Sequence, residues 1–403
     1  MFYCGIDIAK YKHEATVIDE AGTALLDSIS FSNSKEGCEK LLALFERLGV
    51  SNDGLLIGME ATGHYWLSVY GYLLEQGFEI KVINPIQSEA FRKMYIRQTK
   101  NDRKDSFIIA QIMRFGQFSA TNLSEETIVA LRQLSRYRLA LVDTCGDCKR
   151  RVIALLDQVF PEYDALFSDT FGVTSKEVLS QYPTPEDLLT VSTRKLSNLL
   201  EKTSHGRLGK EKAEQLKAAA ANSFGVSFAR DAFAFQIRQL VEQMEFLERQ
   251  VTELEAQISS LLKQTGSYIT TIPGIGDTLG AIILSEIGDI HRFNAPKLVA
   301  FAGLDVRVTQ SGEFTGTRQK ISKRGSPYLR RAIWLAASRA AFCDPILSEY
   351  YQSLRARGKH HLTAIGAVSR KLCNIIFAIL SEDRPYEAIP PKEIRHHSAD
   401  FTM

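Results

Sequence analysis

The sequence predicts an α/β domain followed by a mainly helical region, and three observations lead to this prediction. Residues 2–31 contain three strand-like segments, "FYCGIDIA", "HEATVIDE" and "GTALLDSISF". Strand-like and helical segments then alternate as far as about residue 120. Beyond that point the pattern becomes helical, as in "LSEETIVALRQLSRYRLALVDTCGDCKRRVIALLDQVF". Strands followed by alternating elements are typical of an α/β layer built on a mixed sheet.

The later elements of the front domain follow from local signals. The segment "SKEGCEKLLALFERLG" predicts a helix that begins at a serine cap and ends at a glycine. The segments "GLLIGMEA" and "EIKVINP" predict strands, and "HYWLSVYGYLLEQG" and "DRKDSFIIAQIMRFG" predict helices. Residues 168–225 predict irregular short helices with turns at "TFG", "YPTPED" and "SHGRLG".

A heptad pattern marks the middle of the chain. Apolar residues alternate spacings of four and three over four repeats, at Phe233, Ile237, Leu240, Met244, Leu247, Val251, Leu254, Ile258 and Leu261. One interpretation is a long helix packed on its own domain. The other is a coiled coil with a second helix, from this chain or from another subunit.

These patterns divide the chain into five parts. We predict a front domain over 1–120, a helical region over 121–226 and a coiled-coil helix over 227–265. A mainly helical last domain covers 266–385, and a loosely ordered tail covers 386–403.

Composition limits the classes of function. The net charge is only +2, so any charge that binds nucleic acid must be local. Six scattered cysteines fit a reducing cytoplasm, and the single pair "CGDC" lacks the four ligands of a structural zinc site. The first residues lack the pattern of a signal peptide, and the apolar runs fall short of a membrane span. We therefore expect a cytoplasmic protein without a membrane partner.

Four acidic residues form the first candidate site. Asp7 lies on the first predicted strand, Glu60 ends the strand "GLLIGME", and Asp102 and Asp105 lie three residues apart at a helix start. Acids that converge at one sheet edge repel each other, and a divalent cation relieves this repulsion. Ligands that offer only oxygen favour Mg²⁺ or Mn²⁺, which can activate and stabilise the oxygens of a phosphodiester. An RNase H-like fold provides this arrangement. The alternative for Asp102 and Asp105 is that they only favour the helix macrodipole.

The last domain carries a second candidate site. Gly274 and Gly276 in "IPGIG" predict a helix-hairpin-helix-like turn whose backbone can approach a phosphate, the alternative being a turn without a ligand. Ser311 follows "RVTQ", which predicts a strand that runs into a loop. Alone, a Ser-Gly pair is most often a turn. A basic run surrounds this serine, and its candidate nucleic-acid-binding residues are Arg307, Arg318, Lys320, Lys323 and Arg324.

Taken together, these motifs resemble a known family. The segments "GIDIAK", "MEATGHYW", "VINP", "KNDRKDSFIIA", "IPGIG", "FAGL", "SG" and "ISKRG…LRRA" occur in the order of the insertion-sequence 110 type transposases. That family includes its sister group 1111 and the related pilin-gene invertases. The resemblance covers the front and last domains, and the middle is longer than in compact members.

The resemblance implies a fold and a mechanism. The front domain would be RuvC-like, with its Asp-Glu-Asp-Asp set at Asp7, Glu60, Asp102 and Asp105. Ser311 would be the nucleophile of a recombinase that joins DNA through a phosphoserine. A structured non-coding RNA, the bridge RNA, would pair with the target and donor DNA. The active site would combine the acids of one subunit with the serine of another, in a dimer or tetramer.

Two other functions fit parts of this pattern. A metal-dependent Holliday-junction nuclease needs the four acids but does not need Ser311. A non-catalytic nucleic-acid scaffold needs neither, and the complete acid set argues against it.

Overall fold

In the computed structural model, the chain divides into two compact units, Met1–Leu123 and Ser124–Met403. The structure describes residues 1–60, 65–83, 88–89, 91, 102–116, 120–121, 126–306, 310–311, 314–315 and 320–388. The side chains of residues 102–103, 120–121, 310–311 and 314–315 lie outside this description.

Unit 1 is built on a mixed sheet. Its strands are β1 (Phe2–Asp7), β2 (Lys12–Ile18), β3 (Ala24–Ser32), β4 (Leu55–Glu60), β5 (Glu79–Ile83) and β6 (Ala120–Thr121). The strand order is β3-β2-β1-β4-β5-β6. Antiparallel pairs join β1, β2 and β3, while β4 pairs in parallel with both β1 and β5. The mixed sheet and its five predicted strands along the chain are confirmed, but the short antiparallel β6 was missed.

Helices cover both faces of this sheet. They are α1 (Lys35–Arg47), α2 (Trp66–Glu75) and α3 (Asp102–Phe115). The predicted serine cap of α1 is confirmed, because Ser34 accepts a hydrogen bond from the Gly37 amide at 3.2 Å. Side chains of α1 and α2, such as Phe45 and Leu73, share a core with Cys4 and Ile6 of β1. On the opposite face, α3 packs through residues such as Ile109 and Met113.

Unit 2 is mostly helical. Its α-helices are α4 (Glu126–Val159), α5 (Val173–Gln181), α6 (Pro185–Thr190), α7 (Thr193–Thr203), α8 (Lys210–Ala221), α9 (Arg230–Gln264), α10 (Asp277–Ile287), α11 (Ala295–Phe301), α12 (Pro327–Cys343), α13 (Pro345–Ala356) and α14 (His361–Glu382). Two short strands, β7 (Gln310–Ser311) and β8 (Phe314–Thr315), form a separate antiparallel pair.

The two long helices α4 and α9 run antiparallel along each other. Arg138 of α4 pairs with Glu255 of α9 at 2.5 Å, whereas Lys149, further along α4, pairs with the earlier Glu248 at 3.6 Å. Apolar heptad positions such as Ile237 and Met244 are fully buried in this region. Within the part of the chain that the structure describes, α4 therefore covers the heptad pattern from the same chain.

Two cores lie along this helix pair. One joins α5–α8 to the later half of α4 and the first half of α9, and it buries both cysteines of "CGDC". Cys145 and Cys148 thus pack as core residues between the long helices. The other core joins the start of α4 and the end of α9 to helices α10–α14.

Helix α14 alone among the described helices is long and apolar enough to cross a membrane, with a mean hydropathy of 1.5. Half of that apolar stretch is buried inside the protein. Its residues Ile365, Val368, Leu372 and Ile376 pack in the core with α10 and α12.

Candidate functional site

Asp7 and Glu60 occupy equivalent positions on neighbouring strands. The parallel register pairs Ile6 of β1 with Met59 of β4, so each acid is the next residue at the carboxyl end of its strand. Because side chains alternate along a strand, Asp7 shares a face with Gly5, and Glu60 shares a face with Gly58.

Helix α3 covers that same face at very short range. A Cβ atom at Gly5 would lie 2.0 Å from the Ser106 carbonyl oxygen and 2.3 Å from the Ala110 amide nitrogen. A Cβ atom at Gly58 would lie 2.5 Å from the Met113 side chain. The two glycines therefore allow the helix backbone to approach the sheet directly beside both acids.

The direction of α3 places its first turn near these acids. Its last turn is tied to the β2–β3 turn, since Arg114 donates to the Glu20 carbonyl at 3.3 Å and Gln111 donates to the Gly22 carbonyl at 3.4 Å. That turn lies at the amino end of β1, because Ile18 pairs with Tyr3. The opposite end of α3, which carries Asp102 and Asp105, therefore lies toward the carboxyl ends of β1 and β4.

The structure thus brings three predicted acids to one end of one sheet face. Asp105 is 7% exposed there, and the Oγ atoms of Ser106 and Thr16 lie 2.8 Å apart, which joins α3 to β2. Ser88 donates a hydrogen bond to Glu60 Oε2 at 2.6 Å. The start of α3 at Asp102 is confirmed, but the side chain of this residue lies outside the described part of the chain.

Sequence reasoning missed another acid on this face. Glu14 of β2 pairs directly with Asp7 and accepts a hydrogen bond from Ser28 at 2.6 Å. Because side chains alternate along a strand, Glu14 and its neighbour His13 point to opposite faces of the sheet. Only the pairing register shows that Glu14, and not His13, shares the face of Asp7. Directly paired residues of antiparallel strands have neighbouring side chains.

A buried histidine holds the chain just after Asp7. His13 is fully buried, and its Nδ1 atom accepts a hydrogen bond from the Ala9 amide at 3.2 Å. Burial lowers the pKa of His13, and the nearby Asn33 offsets part of this effect. A neutral imidazole with Nδ1 as acceptor is therefore the form that fixes the end of β1.

The donor chemistry of this end fits a hard cation. Asp7, Glu60 and Asp105 offer carboxylate oxygens, which suit Mg²⁺ or Mn²⁺. As they stand, the side chains that the structure describes include no group of three or more His, Cys, Asp or Glu residues close enough to hold an ion. The side chain of Asp102 lies outside the described residues.

Ser311 lies on a paired strand, as the sequence predicts. In β7 and β8, Ser311 pairs with Phe314 and Gln310 pairs with Thr315. Nearer the helices, Val306 pairs with Ile321, again antiparallel. We call residues 303–325 the Ser311 hairpin, and residues 307–309, 312–313 and 316–319 of it lie outside the described residues.

The base of the Ser311 hairpin is tightly fixed. Gly303 and Gly325 have φ angles of +67° and +79°, and Cβ atoms there would lie 2.2 Å and 2.0 Å from backbone oxygens of the opposite segment. The Ser322 amide donates to the Asp305 carbonyl at 2.8 Å, and the Ser322 hydroxyl donates to the Asp305 carboxylate. Only glycine accepts these two conformations without strain and at this distance.

A buried carboxylate then joins the end of the hairpin to helix α4. Glu286 of α10 accepts two hydrogen bonds from Arg136 of α4, at 2.6 Å and 3.0 Å. It also accepts one from the Ser326 hydroxyl at 2.7 Å, and Ser326 caps α12 immediately after the hairpin. The hydrogen bond to Glu286 raises the pKa of Arg136, whose guanidinium lies 4.7 Å from the Tyr328 ring.

A second ion pair also joins helix α12 to helix α4. Arg331 of α12 donates two hydrogen bonds of 2.8 Å to Asp143 of α4, and this pairing lowers the pKa of Asp143. Sequence reasoning missed Glu286, Arg136 and Asp143, because contacts between helices far apart in sequence leave no local pattern.

The remaining predicted residues fall into three groups. Lys320, Lys323 and Arg324 are exposed beside the hairpin base, whereas Arg307 and Arg318 lie outside the described residues. Gly276 precedes α10, and a Cβ atom there would meet no described atom within 4 Å. Gly274 has a φ of +91°, and its Cβ position lies 2.8 Å from the Ala336 carbonyl oxygen, so packing against α12 already requires this glycine.

The predicted helix-hairpin-helix turn has a modified first arm. A 3₁₀ helix (Tyr268–Thr271) precedes the glycines, and α10 follows them. The turn therefore joins a short 3₁₀ segment to an α-helix.

Comparison with known proteins gives the family. A family model for IS110-type transposases, described as "Transposase", matches residues 4–161. A second model, described as the transposase IS116/IS110/IS902 family, matches residues 266–352. The two matches together cover more than half of the chain.

Full-length relatives agree with these matches. The chain is 25% identical over 398 residues to an insertion element IS110 protein of 43.6 kDa from Streptomyces coelicolor, covering 96% of each chain. It is 26% identical over 377 residues to the mini-circle putative transposase for IS117 from the same organism, covering 90% of this chain and 89% of that one. It is 23% identical over 389 residues to the pilin gene-inverting protein of Moraxella bovis, covering 96% and 97%. The chain therefore belongs to the IS116/IS110/IS902 family of transposases, enzymes that cleave and transfer DNA.

Proposed function

We propose that this transposase cuts and rejoins DNA through a phosphoserine intermediate at Ser311, with help from Mg²⁺ held by Asp7, Glu60, Asp102 and Asp105. The observation that carries the proposal is the Ser311 hairpin, in which Ser311 lies on a paired strand and the tightly fixed base carries exposed cations. The three-stranded meander followed by two parallel strands supports an RNase H-like, RuvC-like assignment for unit 1.

The serine chemistry conserves the energy of the DNA backbone. The Ser311 Oγ atom forms a bond to phosphorus, the bond from phosphorus to the leaving strand oxygen breaks, and that oxygen takes a proton. A strand hydroxyl then attacks the phosphoserine, restores a phosphodiester and returns the proton to Ser311. The numbers of ester bonds before and after are equal, so joining needs no nucleotide cofactor.

The acids supply the second half of the chemistry. Asp7, Glu60 and Asp105 lie toward one end of one sheet face, and Asp102 begins the same helix as Asp105. A divalent ion bound there would favour the ionised serine and stabilise negative charge on the leaving oxygen. The positive charge of such an ion would relieve the mutual repulsion of the carboxylates.

The basic residues of the hairpin act on the nucleic-acid backbone. Lys320, Lys323 and Arg324 are exposed and would contact phosphates. We assign the same role to Arg307 and Arg318 from their place in the basic sequence run. The turn at Gly276 leaves its backbone open to a phosphate in the same way.

The proposal also includes a structured RNA that guides the enzyme to its target DNA. The sequence contains no evident DNA-reading motif such as a zinc finger, which fits target choice by base pairing. Protein contacts to the RNA would then depend on its backbone and shape. We also propose that the chain works as a dimer or tetramer, in the cytoplasm, which suits its unpaired cysteines.

The test is a search for a covalent protein–DNA adduct. Purified protein is mixed with Mg²⁺, the circular junction DNA of its element, a target duplex and the flanking transcript, and is then run on a denaturing gel. We expect an adduct with the wild type and its loss with Ser311→Ala or Asp102→Ala. Ser180→Ala, an exposed serine of α5, is the matched control and should form the adduct normally.

The same gel separates the competing functions. Cleavage without an adduct, unchanged by Ser311→Ala, would leave a RuvC-like nuclease that uses only the acids. Binding without cleavage by the wild type and by Asp7→Ala alike would indicate a non-catalytic scaffold. Leaving out the transcript tests the role of the RNA separately. Cleavage at the same sites without the transcript would reject guidance by RNA but would leave the serine chemistry standing.

A further inference from the structure

The last part of unit 2 contains a long stretch without negative charge. From Tyr350 to Ser381 there is no Asp or Glu, although acids make up 47 of the 403 residues. The same stretch contains five Lys and Arg residues, at Arg355, Arg357, Lys359, Arg370 and Lys371. Three of these cations fall within five residues, from the last turn of α13 into its connection to α14.

That connection displays its cations to solvent. We call residues 355–361 the α13–α14 turn. Arg355, Arg357 and Lys359 are all exposed, and none of them takes part in an ion pair among the residues that the structure describes. No described carboxylate therefore neutralises these cations at ion-pair distance.

The backbone of the turn is well fixed. Gly358 has a φ of +75°, and the Lys359 amide donates to the Leu354 carbonyl at 3.1 Å, which ends α13 as an αL glycine does. Arg355 donates from its guanidinium to the Lys359 carbonyl at 2.7 Å, so two cationic residues are held side by side.

The turn is also attached to the core. The Tyr351 hydroxyl lies 2.7 Å from His361 Nδ1, and Tyr351 itself is only 6% exposed. The His360 side chain accepts a hydrogen bond from the Leu362 amide and caps the first turn of α14. Because these contacts fix the turn, binding an anion there costs little conformational entropy.

Three other exposed cations of unit 2 differ in this respect. Arg150, Lys210 and Arg230 each lie beside a carboxylate of their own helix, at Asp147, Glu214 and Asp231. A paired surface cation contributes little to phosphate binding, because its field is already neutralised nearby. The α13–α14 turn differs from these three positions, because its cations lie close together in an acid-free stretch and none has an ion-pair partner among the described residues.

We propose that the α13–α14 turn is a DNA-binding surface that contacts backbone phosphates of duplex DNA without reading its sequence. Arg and Lys side chains are the usual protein donors to DNA phosphates, and such contacts fix the position of the protein on the duplex. The proposal rests on DNA being the substrate of this transposase and does not depend on the serine chemistry.

Salt dependence of binding tests this surface. Each phosphate contact by a cation steepens the dependence of log K on log salt by about 0.9 for duplex DNA. The probe is a fluorescent DNA duplex of arbitrary sequence, measured by anisotropy between about 50 and 200 mM KCl. All proteins carry Ser311→Ala, so strand cleavage and covalent capture play no part.

The test variant combines Arg355→Gln, Arg357→Gln and Lys359→Gln. We expect its salt slope to be shallower by about 2 to 3, with a loss of affinity on the order of 10²-fold at low salt. The control combines Arg150→Gln, Lys210→Gln and Arg230→Gln, which removes the same charge from paired positions and should leave the slope nearly unchanged. Lys359→Gln alone should reduce the slope by about 0.9, and it alters no hydrogen bond made by a described side chain.

The alternatives give different results. Equal losses in the test and control variants would mean that only total charge matters, and this would overturn the proposal. An unchanged slope in the test variant would also overturn it. A loss seen with an RNA of the same length but not with DNA would replace DNA by RNA as the ligand of this turn. Failure to detect the Ser311 adduct would leave the binding result intact, so the two proposals fail separately.

Discussion

Gly5 shows how a single residue positions the candidate acids. Helix α3 can bring Asp105 toward Asp7 only because β1 has no side chain at the crossing point, where a Cβ atom would lie 2.0 Å from the Ser106 carbonyl oxygen. The neighbouring contact between Thr16 and Ser106 fixes the same crossing from β2. The geometry of the acids therefore depends on a residue that has no chemistry of its own.

This dependence gives a matched pair of substitutions. Gly5→Ala forces α3 away from the sheet, and we expect it to destabilise unit 1 by about 1–3 kcal/mol, as overpacking does. It should also abolish formation of the Ser311 adduct. Urea unfolding followed by circular dichroism gives the first effect, and the denaturing gel gives the second.

Gly71→Ala is the control within the same unit. Gly71 lies inside α2, and a Cβ atom there would meet no described atom within 4 Å. Alanine should therefore be neutral or should stabilise the helix by about 0.5–1 kcal/mol, with normal adduct formation. Wild-type activity in Gly5→Ala would show that the approach of α3 to β1 does not position the acids.

The places of residues in the fold could be predicted where the signal was local. Asp7, Glu60 and Asp105 lie at ends of predicted strands and at a predicted helix start, so local pattern and strand order suffice to bring them to one end of the sheet. Glu14 and Glu286 were missed for a physical reason. The first depends on the pairing register of β1 and β2, and the second on contacts between α10, α4 and the Ser326 cap.

At the scale of elements, the antiparallel pair α4–α9 organises unit 2. The heptad spacing of α9 left two interpretations open, a long helix packed on its own domain or a coiled coil with a helix of this chain or of another subunit. Lys149 lies 3.6 Å from Glu248, and Lys176 of α5 lies 2.5 Å from the same residue. These contacts place the partner in the same chain, because α4, α5 and α9 share one core.

Carbodiimide coupling tests the origin of this partner in solution. The reagent joins a lysine to a carboxylate only at ion-pair distance, so it should link Glu248 to Lys149 or Lys176. In an equal mixture of ordinary and ¹⁵N-labelled protein, we expect cross-linked peptides whose two halves carry the same label. Mass spectrometry of the digest distinguishes these peptides from peptides with one labelled and one unlabelled half.

Two further observations complete that test. Glu248→Gln should remove the cross-link while the Arg138–Glu255 contact keeps the helices paired. Peptides in which one half is labelled and the other is not would show that α4 and α9 pair between chains.

At the scale of the whole molecule, the two candidate constellations belong to different units. The acids lie in Met1–Leu123, and Ser311 lies in Ser124–Met403. The resemblance to transposases predicts that acids of one subunit act with the serine of another. Local sequence patterns predict the acid site and the Ser311 site separately. They do not predict how subunits assemble, because subunit contacts depend on surfaces that form only after folding.

Mixing two inactive variants tests that assembly. Asp7→Ala and Ser311→Ala should each fail to form the adduct, while an equal mixture should recover about one quarter of the wild-type amount if chains pair at random in a two-fold dimer. Asp7→Ala mixed with the double variant Asp7→Ala/Ser311→Ala is the control, and it should recover none. An inactive first mixture would mean that acids and serine act within one chain.

The most direct test of the central claim is the chemical identity of the linkage. After reaction with junction DNA, the wild-type adduct is trimmed with nuclease, digested with trypsin and fragmented in a mass spectrometer. The account predicts a nucleotide mass on the peptide from residue 308 to residue 318, localised to Ser311 rather than to its neighbouring threonines. A nucleotide on any other residue, or efficient cleavage with no modified peptide, would contradict it.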